Sequence, residues 1–234
     1  MSFSQVTMRR SVRLSRSYFI LGIVMSAYGI IISNLLSLIP VSSTNLSAPP
    51  VVLQNSFPFL SVALLSLSGL LFSLPVVMLF VYDKNNGVLE YLLSIGFDQR
   101  DIFKGYVKAS LSLATYLLIF SILFNSVLGI FLKTDLGSIV VMAVLTFVIG
   151  LSEVFLVTIS MIAFSSLQKT PMGANQPLGV IIGIIPMFPT LLLPLVFPAF
   201  AVEIDILIAV LVLLFSLALL LSISRLILRE KLLP

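Results

Sequence analysis

Glu153 is the one acidic or basic residue deep inside a long apolar run, Ser138 to Phe164. A carboxyl group placed there can hold a proton or a cation, and an ionisable residue inside a membrane span marks a functional site by default. The same carboxyl can equally be packing glue, hydrogen-bonded to Ser152, Ser160 or another helix. No catalytic partner accompanies it in the apolar runs. The chain has no histidine and no cysteine. That removes imidazole acid–base chemistry, thiol nucleophiles, disulfides and zinc sites built from those ligands. No G-x-x-x-x-G-K-[ST] phosphate-binding loop occurs. If the protein's work consumes ATP, a separate polypeptide binds it. The chain is not expected to be an enzyme, and its residues imply no cofactor and no metal.

The second chemistry-bearing stretch is Tyr82 to Lys108, the longest polar interruption, with Asp83, Glu90, Asp98 and Asp101 set against Lys84, Arg100, Lys104 and Lys108. Asn85-Asn86-Gly87 is a turn signal. After it, Val88, Leu92 and Ile95 share one face of a short helix, with Leu89 and Leu93 beside them and Glu90 and Ser94 off the stripe. Gly96 suits a helix C-terminus. Asp98 opens a new helix, with an acid three residues on at Asp101. The bases at Arg100, Lys104 and Lys108 then follow at helical spacing. Such a stripe fits a groove on another protein. An amphipathic helix lying on a membrane surface explains it equally well.

These residues need elements to hold them. The chain has 234 residues, of which 59% are hydrophobic and 9% charged, with a mean hydropathy of +1.22. A soluble domain carries roughly 25% charge, and a single soluble core cannot hide this much apolar surface. The expected class is all-α: a polytopic membrane protein forming one transmembrane domain over residues 1–234. About 20 apolar residues cross a bilayer. Six runs qualify, at 18–39, 59–81, 109–132, 138–164, 178–197 and 206–224. Pro186, Pro189 and Pro194 break the fifth. Pro198 to Asp205 reads as a short acidic linker with Glu203 and Asp205 at a solvated rim. Six spans place both termini on one side. Twelve of the thirteen Lys and Arg residues then fall on that side, and only Lys133 on the other. By the positive-inside rule, both termini and the central loop are cytoplasmic. The net charge of +4 follows from this sidedness and from contact of the basic N-terminus with anionic headgroups. It does not point to nucleic acid.

The run Gly87–Leu93, GVLEYLL, followed by Asp98-Gln99-Arg100-Asp101-Ile102 and Lys104-Gly105, resembles the permease subunits of ABC-2 type transporters. Their corresponding loop carries a G-x-L-E-x-L-L stretch, a helix start and a Gly-Lys pair, here reversed. Ala163-Phe164-Ser165-Ser166-Leu167 with Lys169, Ala174 and Gln176 is similar to the end of span four and the loop after it in the same family. The resemblance implies a plasma-membrane exporter subunit that dimerises with a second copy or a paralogue and docks a separate ABC ATPase. Gly87, Val88, Leu89, Glu90, Leu92, Leu93 and Phe97 would then form the coupling helix between spans two and three. The N-terminal segment would be an interfacial helix adding to that contact, and membrane lipid would be the remaining partner. Two other classes fit the length: a ligand-binding membrane subunit like those of vitamin importers, and a scaffold subunit that transports nothing.

Overall fold

The computed structural model describes residues 3–14, 16–38, 60–164, 185 and 187–226. All regular structure among them is helical: α1 (Phe3–Leu14), α2 (Arg16–Leu38), α3 (Leu60–Asn85), α4 (Val88–Ser94), α5 (Gln99–Phe131), α6 (Leu136–Phe164), α7 (Met187–Val196) and α8 (Ala201–Leu226). A lipid core offers no water to backbone N–H and C=O groups, so apolar runs of this length satisfy them internally as helices. Four of the helices, α3, α5, α6 and α8, are long and apolar enough to cross a membrane. Helix α2 covers the first expected span. It is bent by 82° from α1, so the short basic helix turns sharply aside from the span that follows it.

Helix α3 is the centre of the bundle. Of its long apolar stretch, 78% is buried, against 28% for α5 and for α8. Helices α2, α5, α6 and α7 pack around it, and α8 packs on α6. Small residues permit the close approaches, as they do where the hydrophobic effect cannot pull helices together. Gly22 and Gly29 of α2 sit against Phe72 and Leu64 of α3. Leu118 of α5 wedges between Gly69 of α3 and Gly150 of α6. Hydroxyl groups then join neighbours. Ser26 donates to Ser121 at 2.6 Å, Ser110 and Thr158 share a bond of 2.8 Å, and Ser216 donates to the Ser152 carbonyl at 3.1 Å. The buried Ser66, Ser68 and Ser73 donate back to carbonyls of their own helix, which satisfies them without a partner helix.

Two boundaries differ from the sequence expectation. Helix α3 runs on to Asn85, so Asp83 and Lys84 are helical rather than part of a loop. Pro198–Phe200 is a single 3-10 turn that feeds straight into α8 at Ala201. The expected acidic linker is therefore helix, and Glu203 falls in its first turn, where an acid suits the positive end of the helix dipole. Glu203 is exposed, as a rim charge should be, but Asp205 is 0% exposed. It shares the buried face of α8 with Ala201 and Ala209, one turn to either side. The solvated reading of Asp205 is corrected. The fifth expected span, 178–197, lies partly outside the described residues. Its described part, α7, has ten residues, about 15 Å at 1.5 Å per residue.

Between α5 and α6, Lys133 takes a left-handed φ of 59°. Asp135 accepts from the Ser138 N–H at 3.0 Å and so caps α6.

Candidate functional site

At one end of the bundle, α1, the foot of α3, α4 and the start of α5 close over a common apolar cluster. Val76, Leu79, Phe80, Leu89, Ile102 and Tyr106 are among its buried members, and Phe3, Met8 and Val12 of α1 pack onto it. The rings interlock. Tyr106 meets Phe80 edge-on at 5.1 Å and Phe3 at 5.7 Å, and Phe3 lies 6.2 Å from Phe97. Gly105 makes this possible, because a Cβ there would collide with the Phe3 ring. The bases gather at the same end: Arg9, Arg10, Arg13 and Arg16 beside α1, Lys84 at the foot of α3, and Arg100, Lys104 and Lys108 on α5. Lys133 lies at the other end of α5.

A polar latch holds the cluster shut. Asp83 is 0% exposed, yet it carries an ion pair. Arg10 donates to its two carboxylate oxygens at 2.9 and 3.2 Å, a two-pronged geometry. The Tyr106 hydroxyl donates to the same carboxylate at 2.5 Å. Three donors compensate the burial of one carboxylate, so the charge is tolerated where an unpaired one would not be. The latch ties the N-terminal helix to two of the long helices. The sequence pattern places Asp83 in a polar loop rather than in a helix. The available signal was helical phase, since Asp83 lies three and four residues beyond the buried Phe80 and Leu79.

Helix α4 is built as the sequence predicts. Gly87 precedes it at φ 73° and Gly96 follows it at φ 94°, both left-handed, a conformation that costs other residues about 1–2 kcal/mol. The Gly96 and Phe97 N–H groups bond back to Leu93 and Leu92 at 3.1 Å each. This paired closure needs glycine just past the helix end. Asp98 caps α5 by accepting from the Arg100 N–H at 3.2 Å. Two sharp breaks, one on either side of a seven-residue helix, thus fix the direction of α4 between the ends of α3 and α5.

The coupling-helix candidates divide by what they touch. Leu89 is 3% exposed and belongs to the internal cluster, against which Leu92 and Leu93 also pack. Gly87, Val88 and Glu90 are half-buried. Phe97 is exposed but leans on Phe3. The outermost apolar side chains are Tyr91 and Ile95, 63% and 53% exposed. The stripe therefore seats α4 on its own protein, and a second apolar surface, Tyr91, Ile95 and Phe97, is left facing out.

Glu153 lies apart from this end, in the bundle interior one turn along α6 from Gly150. It is 0% exposed. The Ser66 hydroxyl is near its carboxylate but donates to the Ala63 carbonyl at 2.9 Å. Neither oxygen of Glu153, nor of Asp205, has a hydrogen-bond partner among the described residues. Among those residues no group of His, Cys, Asp and Glu could hold a metal ion. The similarity noted at Ala163–Gln176 falls mostly outside the described residues. Comparison with protein-family models, with curated proteins and with solved structures yields no match.

Proposed function

We propose that this chain is the membrane subunit of an ABC-type exporter, driven by ATP that a separate nucleotide-binding subunit hydrolyses. One observation carries the reading: α4, fixed by left-handed glycines at both ends, stands on two long membrane helices with Tyr91, Ile95 and Phe97 exposed. A seven-residue helix so rigidly aimed is more than a connector needs. Its apolar outer surface suits a groove on a partner, with Glu90 at the rim. Closure of two ATPase subunits around ATP would push on α4, and the shared apolar cluster would pass that push to α3, α5 and α1 as one body. The topology in this proposal has six spans with both termini cytoplasmic, and a second copy or a paralogue completes the transmembrane unit.

The test is affinity purification of the full-length chain from its native membranes. A nucleotide-binding subunit should accompany it and hydrolyse ATP. The double variant Tyr91→Asp/Ile95→Asp, which changes only exposed side chains, should insert normally and lose that subunit. Capture that survives the double variant, or wild-type preparations with no ATPase, would sink the reading.

A further inference from the structure

One face of α5 bears a groove of about 610 Å³ that no other described helix covers. Lys104 and Lys108 stand at its head, and Val107, Leu111, Thr115 and Tyr116 continue along it. These positions repeat at three and four residues, so they form a single stripe. Its chemistry changes along its length. Both lysines are exposed, and neither has an ion pair or hydrogen bond among the described residues. Lys108 and Thr115 are about 10 Å apart along the axis at 1.5 Å per residue. Past the lysines the lining is mainly apolar, with small hydroxyls at Ser112 and Thr115 and the ring of Tyr116, 69% exposed.

We infer that this groove binds one anionic phospholipid, its phosphate against Lys104 and Lys108 and an acyl chain along Val107, Leu111 and Tyr116. Three features select that occupant. Two ammonium groups one turn apart, neither in an ion pair among the described residues, attract a phosphate. The apolar floor begins within one turn of them, which suits a molecule that carries its charge and its hydrocarbon together. Helix α5 is long and apolar enough to cross a bilayer, so the groove opens onto the phase where such molecules are abundant. Lysine stems can also lie along apolar surface with the ammonium at the headgroups. The site includes no residue of α4 and holds whether or not an ATPase docks there.

Native mass spectrometry of the full-length chain, with phosphatidylglycerol or phosphatidylcholine added to the detergent micelles, tests this. The wild type should retain one phosphatidylglycerol molecule in preference to phosphatidylcholine. Each lysine near an anionic headgroup is worth about fivefold in binding, so Lys104→Gln/Lys108→Gln should lower the preference by roughly twenty-five-fold. Lys104→Arg/Lys108→Arg should keep it, which shows that charge rather than misfolding is responsible. Arg100→Gln, outside the groove, should also keep it. Equal retention of the two lipids, or an unchanged preference in the glutamine pair, would overturn the inference. So would displacement of the lipid by inorganic phosphate alone, which would assign the site to a soluble anion. A Thr115→Cys variant that cross-links to a second copy and excludes lipid would overturn it as well.

Discussion

Tyr106 donates one of the three hydrogen bonds that Asp83 receives, and Arg10 donates the other two. A hydrogen bond to a charged group contributes about 1.5–3 kcal/mol. Tyr106→Phe keeps the ring contacts and removes that bond alone, so it should lower stability by about this amount, read as a fall in the thermal unfolding midpoint in detergent. Arg10→Ala should do more than destabilise, because it frees α1. Protease should then cut within residues 3–14 of Arg10→Ala while sparing the same segment in Tyr106→Phe. Equal protection of α1 in both variants would show that the ion pair does not hold the helix. None of this pairing was legible in the chain. Arg10 and Asp83 are 73 residues apart, and local patterns carry no information about which charge meets which. Asp205 was misplaced for a related reason. In a helix apolar on every side, no polar face reveals which positions turn inward. Glu153 was found by sequence because it interrupts such a run. Its missing partners were not, because they depend on which neighbours surround it. A native structure leaves few buried polar atoms unsatisfied, and both carboxyls lack a hydrogen-bond partner among the described residues.

At the scale of elements, α4 was the most legible piece of the molecule. Gly87, Gly96 and Asp98 act through the backbone of their own few residues, so their meaning survives without tertiary context. The orientation of its apolar stripe was not legible. Val88, Leu89, Leu92 and Leu93 could face a partner, a bilayer or the rest of the chain, and only packing decided that Leu89 faces inward. The meaning of Gly105 was hidden in the same way, since the residue it accommodates is Phe3. Gly105→Val should overpack that contact and lower stability by about 1–3 kcal/mol. In a Phe3→Ala background the same substitution should have little further effect. Thermal unfolding of the two single variants and the double completes the cycle. Additive losses would mean that Gly105 does not make room for Phe3.

For the molecule as a whole, composition made the membrane class and the all-helical fold plain. The number and sidedness of the spans rest on where charges fall, and that arrangement can be tested without altering the protein first. The chain has no cysteine, so single cysteines report position cleanly. Arg9→Cys and Ser94→Cys should react with a membrane-impermeant maleimide only after the cells are opened. Leu136→Cys, 67% exposed in the native chain as leucine, should react in intact cells. The reverse pattern would invert the proposed topology and move α4 away from any intracellular ATPase. The expected sidedness rests on the uneven distribution of Lys and Arg along the chain. The described part of the fifth run, only ten residues of helix, was less readable, because prolines mark a break without saying how far the chain travels on either side of it.

The latch also imposes an order on biogenesis. Arg10 leaves the ribosome well before Asp83, which follows 73 residues later, and Tyr106 comes another 23 residues after that. Until both have been made and inserted, α1 has no apolar cluster to lie on and no carboxylate for its arginine. Closure of the latch therefore waits on residues made well after α1 itself.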